Sequence, residues 1–145
     1  MAIYGCGATY NGEDMSSSFI EEGCICVGYT NTQAPAIFEI LRRAKIGDII
    51  YLKSFTPRGS QLKIKAVGIF DCVEEENNLN SLIEYPNLGF GRKVKWFTPS
   101  EPVVISLSER EFTYNVYNNT LYEEYSETIM QDVLRILFSG LDGVG

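Results

Sequence analysis

Residues 47–70 read GDIIYLKSFTPRGSQLKIKAVGIF. Ile49, Ile50, Tyr51 and Leu52 are β-formers. Leu62, Ile64, Ala66 and Gly68 alternate with Lys63, Lys65 and Val67, the period of a half-buried strand. Thr56-Pro57-Arg58-Gly59-Ser60 between them is turn chemistry, since Pro57 presets φ and Gly59 tolerates φ > 0. The stretch therefore predicts an antiparallel hairpin with a basic tip. Gly47-Asp48 ends the preceding helix and opens the first of the two strands.

Upstream, Ala2 to Thr9 reads as a strand whose Gly5 and Gly7 mark a bulge or a close approach by another group. Tyr10 to Asp14 is a turn. Met15 to Glu22 is a short helix, capped by Asp14, anchored by Phe19 and Ile20 and ended by Gly23. Cys24 to Tyr29 is continuously apolar and predicts a central strand. Ala34 to Lys45 is the clearest helix. Pro35 fits its first turn, Ile37, Phe38, Leu41 and Ala44 form its stripe, and Arg42, Arg43 and Lys45 suit the negative end of its dipole.

Downstream, Asp71 to Ser81 is a polar connection and Leu82 to Phe90 a loop. Arg92 to Thr98 is a strand with Arg92, Val94 and Trp96 on one face and Lys93, Lys95 and Phe97 on the other. Val103 to Ile105 is a short strand. Ser108 to Asn119 carries both strand and helix features. Thr120 to Glu123 has the form of a capping box. Ser126 caps a last helix to about Ser139, and Gly140 stops it. This order predicts an α+β fold: a twisted, mostly antiparallel sheet or partly open β-barrel with flanking helices.

The chain has 145 residues, 45% apolar and 21% charged, which fits one domain spanning residues 1–145. The chain shows no signal-peptide pattern and no membrane-length apolar run, so a cytoplasmic protein without membrane contact is expected. Cys24 and Cys26 share one face of their strand and, with Cys6 and Cys72, read as reduced thiols. The absence of histidine removes the commonest general base and zinc ligand. The paired carboxylates Glu21/Glu22, Glu74–Glu76 and Glu123/Glu124 read as solvated surface. Gly5-Cys6-Gly7 and Gly89-Phe90-Gly91 lack the spacing of nucleotide-phosphate loops. A non-enzymatic protein with no cofactor and no metal is expected.

Net charge is −7, yet its distribution is uneven. Ten of the twelve basic residues (Arg42, Arg43, Lys45, Lys53, Arg58, Lys63, Lys65, Arg92, Lys93, Lys95) lie in or beside the middle strands. They make either a local basic face for phosphates or a solvated outer face of the sheet. Aromatic residues cluster near strand ends, and those on a concave surface can stack on a base. For Tyr29 and Trp96 the core and stacking readings are equally open.

Gly28-Tyr29, then Gly47-Asp48-Ile49-Ile50-Tyr51-Leu52-Lys53, Ile64 to Ile69, and Val94-Lys95-Trp96-Phe97 together resemble the PUA-like superfamily, its EVE/YTH-like branch. The resemblance covers about residues 24–105. It implies a small twisted β-barrel that takes a modified or flipped base in an aromatic pocket, with DNA or RNA phosphates on a basic rim. Carried over by position, it makes Tyr29 and Trp96 pocket candidates and Lys53 a phosphate contact. Placement along the chain adds Tyr10, Asp14 and Ser18 as the opposite wall, and Arg58, Lys63, Lys65, Arg92 and Lys93 as further phosphate contacts. The alternative function is a protein-interaction or homo-oligomeric domain, in which acidic chain ends meet the basic middle of another copy.

Overall fold

The structure is a computed structural model that describes residues 1–10, 12–28, 32–56, 61–72, 82–106 and 120–144. The quoted hairpin forms as β5 (Ile49–Thr56) and β6 (Gln61–Phe70), antiparallel with Ile50 opposite Gly68 and Phe55 opposite Leu62. Its tip, including Arg58, lies outside the described residues. Around it stand β1 (Ile3–Gly7), β4 (Cys24–Val27), β8 (Gly89–Phe97) and β10 (Leu121–Glu123), in the order β10-β1-β5-β6-β8-β4. β7 (Ile83–Tyr85) adds to β8 and β9 (Val103–Ser106) to β6. β1 runs parallel to β5 and the other pairings are antiparallel. The result is an α+β fold, a curled mixed sheet forming a half-barrel with three helices among the described residues.

The register slips between Leu52 and Lys53, so that Leu52 faces Ala66 while Lys53 faces Ile64 and Lys65 is the extra residue. Such a bulge reverses which side successive residues face. Leu62, Ile64 and Val67 consequently join one core while Ala66 and Phe70 join the other. The single alternating face expected for Leu62 to Gly68 is thus split in two.

The first core lies on one side of the sheet. It packs the helices α1 (Ser16–Glu22) and α2 (Pro35–Arg43) through Phe19, Phe38 and Leu41 against β1, β4, β6 and β8. The second lies under the helix α3 (Glu127–Val144), whose Ile129, Val133 and Leu137 cover Ile49, Tyr51, Ile64 and Val67. Strand β8 divides its side chains as expected, with Val94 and Trp96 in the first core and Phe97 in the second.

Four sequence expectations are corrected. β4 is wholly buried but among the described residues pairs only with β8, so it ends their strand order. Its unbroken apolar run reflects the curl of the sheet and the covering helix α1, which bury both its faces. Residues 83–85 form a strand where a loop was expected, because β8 starts at Gly89 and offers them a partner. Leu121 to Glu123 do not form a capping box but pair with β1, Gly5 opposite Tyr122. The Tyr10–Asp14 turn is a small hairpin of β2 (Thr9–Tyr10) and β3 (Glu13–Asp14).

Helix ends follow local chemistry in part. Gly23 closes α1 in the left-handed region at φ 67°. Ser126 Oγ accepts from Ile129 N at 3.4 Å at the start of α3. Gly140 does not stop α3. The helix continues through it, and a Cβ there would lie 3.0 Å from Phe97 Cβ, so Gly140 serves the contact between α3 and β8.

Candidate nucleic-acid interface

The small hairpin crosses from the end of β1 toward the start of β8. The Tyr10 hydroxyl donates to Leu88 O at 2.9 Å, and its ring stands edge-on to Phe19 with centroids 6.0 Å apart. Gly28 lies against the ring face, since a Cβ at Gly28 would meet three Tyr10 ring atoms at 3.2–3.3 Å. Burial, with further contributions from the nearby Cys26, Cys24 and Cys6, holds the Tyr10 phenol far above its usual range. Tyr10 thus bridges one lip of the half-barrel as a neutral hydroxyl.

Asp14, across the hairpin register from Thr9, accepts from Ser16 N at 2.9 Å and Ser16 Oγ at 2.6 Å, and pairs with Lys65 Nζ at 2.5 Å. Burial raises its pKa, but the bonds from Lys65 and Ser16 outweigh it and bring the carboxyl down to about 2. Asp14 and Lys65 therefore neutralise each other. Ser18 is half-buried on α1.

Trp96 is not beside Tyr10. Its indole Nε1 donates to Cys24 O at 2.9 Å, and its ring covers Gly68, where a Cβ would sit 2.8 Å from Trp96 Cε3. Tyr10 touches Gly28, just past the other end of β4. Four residues of extended chain separate those two anchor points, about 13 Å. Tyr29 lies outside the described residues.

The basic candidates are dispersed. Arg92 is 2% exposed and belongs to the interior: Nη1 donates to Leu41 O at 2.8 Å and Ala44 O at 2.6 Å, and Cζ lies 5.1 Å from the Phe70 centroid. This corrects its assignment to a phosphate rim, because the guanidinium is spent on the last turn of α2. Lys53 is buried too, with Nζ 4.6 Å from the Tyr122 centroid. It points toward the α3 side of the sheet, as Tyr122 does. Lys63 is exposed, and exposed Lys93 pairs with Asp71 at 3.9 Å.

Lys53 belongs to a buried polar cluster. Tyr51 Oη donates to Glu124 Oε1 at 2.5 Å and shares a 2.6 Å bond with the Tyr122 hydroxyl, while Glu124 Oε2 accepts from Tyr125 N and Ser126 N. Gly5 makes room for it, since a Cβ there would be 2.6 Å from both Tyr51 Cζ and Tyr122 Cζ. Burial, partly offset by Cys6 and Glu124, pulls the Lys53 ammonium down to about 8. Its contribution to stability is therefore complete above the ordinary lysine value of 10.5 and lost as pH falls through about 8. Lys53→Met is expected to raise stability near pH 7 by about 2–3 kcal/mol. The wild-type melting temperature should climb between pH 8 and 10.5 while that of Lys53→Met stays level. Equal profiles would show that the amine is well solvated.

Near Tyr10 the structure assembles a group the sequence did not announce. Phe90, opposite Val27 across β4–β8, is 41% exposed and stands edge-on to buried Phe38, centroids 6.4 Å apart. The exposed Arg42 guanidinium lies 5.6 Å from the centroid of that same Phe38 ring. Phe90 follows Leu88 and Gly89, so Tyr10, Gly28, Phe90, Phe38 and Arg42 form one lip. Two signals for it stand in the chain: Phe90 is flanked by glycines that leave a strand aromatic uncovered, and Phe38 and Arg42 are four apart on a helix.

No protein-family model and no curated protein matches this chain. A separate groove of about 470 Å³ lies between the C-terminal half of α3 and residues 97–103, with Phe97, Val103 and Ile136 among its lining. None of the candidates named from the sequence lines it. Among the described residues no helix is long and apolar enough to cross a membrane, and no group of three His, Cys, Asp or Glu is placed to hold a metal.

Proposed function

We propose that the chain is a non-enzymatic nucleic-acid-recognition module of the PUA-like, EVE/YTH-like kind, and that it engages DNA or RNA at the Tyr10–Phe90–Arg42 lip. One observation carries the reading: a solvent-facing phenylalanine and an exposed guanidinium rest on the same buried ring. Phe90 offers a flat face for a base, anchored so that little entropy is lost on stacking. Arg42 offers the charge that a phosphate needs, or a planar group that stacks on a neighbouring base. Tyr10 holds the lip closed through Leu88 O and leaves Gly28 as a surface without a side chain.

The test is fluorescence anisotropy of labelled single-stranded and duplex oligonucleotides, some carrying methylated bases, at two salt concentrations. Binding should saturate and weaken with salt. Phe90→Ala should weaken it by about tenfold or more, the worth of one stacked base. Arg42→Ala should lower the salt slope by about one unit. Absence of saturable binding, or an unchanged affinity in Phe90→Ala, would reject this site.

A further inference from the structure

We infer that the lip selects an unpaired guanine and that Glu84 reads it, an assignment that rests on the lip being a nucleic-acid site. Glu84 reaches Phe90 through the sheet rather than along the chain. Strand β8 lies between β4 and β7, and Phe90 stands opposite Val27 on one side and Glu84 on the other. Directly opposite residues of an antiparallel pair project to the same face. Val94 N donates to Gly23 O, on the β4 side. Alternation along β8 turns the Phe90 N–H to β4 as well. That leaves Phe90 and Glu84 as a non-hydrogen-bonded pair, the closer kind, with Cα atoms about 4.5 Å apart. Val27 is buried, whereas Glu84 and Phe90 are both exposed. The carboxylate therefore borders the solvent-facing ring.

The charge beside the ring fits one base. An ionised carboxylate accepts hydrogen bonds through two oxygens and donates none. Against a base stacked on Phe90 it favours two adjacent N–H donors and repels an acceptor. The unpaired edge of guanine offers N1–H and the 2-amino group side by side. Adenine and cytosine present one amine next to a ring-nitrogen acceptor, and thymine and uracil one N–H between two carbonyls. Base pairing would consume the guanine edge, so the partner is a single strand or a flipped base. Glu84 also repels phosphate. It therefore weakens binding of every base except the one that bonds it, which is how a site gains specificity. Arg42, which comes to the lip from α2 rather than from β7, is left for the phosphate.

Competition anisotropy reads the preference directly. The probes are single-stranded oligothymidines, and oligouridines for RNA, each carrying one central guanine, adenine, cytosine or hypoxanthine. The guanine oligomer should bind about tenfold tighter or more than the others, the worth of a good bidentate contact. Hypoxanthine keeps N1–H but lacks the 2-amino group, and should lose most of that gain. Glu84→Gln replaces one acceptor by a donor and should remove the preference, with an unchanged thermal melt because Glu84 is exposed. Glu84→Ala should also remove it and should bind the all-thymine oligomer at least as tightly as the wild type does. Equal affinity for all bases in the wild type, or a guanine preference that survives Glu84→Gln, overturns the inference. If Phe90→Ala weakens binding in that case, the lip remains a nucleic-acid site and the guanine assignment alone falls. Absence of binding by every oligomer rejects both.

Discussion

Gly91→Ala is expected to lower stability by about 4 kcal/mol or more, enough to take roughly 15 °C from the melting temperature. The reason is a backbone approach. A Cβ at Gly91 would stand 2.8 Å from Ile25 C and 2.7 Å from Cys26 Sγ, and would run into the Ile25 carbonyl oxygen. A flexible side chain yields to an added methyl group, but a strand does not, because β4 is fixed to β8 on one side and packed in the first core on the other. The ladder from Cys24 to Val27 must open at its middle. Gly7→Ala is the control. It is also a strand glycine, yet its Cβ would meet only Lys53 Cε at 3.8 Å, so it should change stability by less than about 1 kcal/mol. Thermal melts of the two variants decide the matter. Equal, small losses would show that β4 and β8 can separate at little cost.

The two glycine pairs also mark how far the chain could be read. Gly5 and Gly7 announce close approach from their place in a strand, and Gly5 does lie under two tyrosine rings. Gly89 and Gly91 are recognisably not a phosphate loop, but their use, the close backbone approach of β4 to β8, needs the partner strand. The same division runs through the fold. The β5–β6 hairpin follows from period and turn chemistry, which are local. The slip at Leu52/Lys53 is set by how the curled sheet meets two cores, and no residue in the strand signals it. Leu121 to Glu123 show why local motifs mislead: a Thr-x-x-Glu pattern is worth little beside a ladder with β1.

The candidate site was legible in kind more than in place. Tyr10 is legible as an aromatic near a strand end and ends β2, while Phe90, expected in a loop, lies in β8. The run of basic residues in the middle strands leaves open a basic face or a solvated outer face, and the structure disperses it. Alternation sends Lys93 and Arg92 to opposite sides of β8, burial removes Arg92 and Lys53, and Asp14 occupies Lys65. A charge count along the chain cannot distinguish a phosphate contact from a cation that closes a helix.

Arg92 makes that distinction measurable. Arg92→Ala is expected to cost about 4 kcal/mol, by the cavity it leaves and by the loss of both carbonyl partners. Burial already disfavours its charge, and its pKa lies below the ordinary arginine value for that reason. Among the described residues Nη2 has no hydrogen-bond partner, so the guanidinium is held at a desolvation cost. Arg92→Met keeps most of the volume and removes that cost, and should lose only about 2 kcal/mol, the price of leaving Leu41 O and Ala44 O unpaired. If Arg92 met phosphates instead, Arg92→Met would leave the melt unchanged and lower the salt slope of oligonucleotide binding by about one unit. The geometry requires the reverse: a lower melting temperature, and an unchanged salt slope at temperatures where the variant is folded.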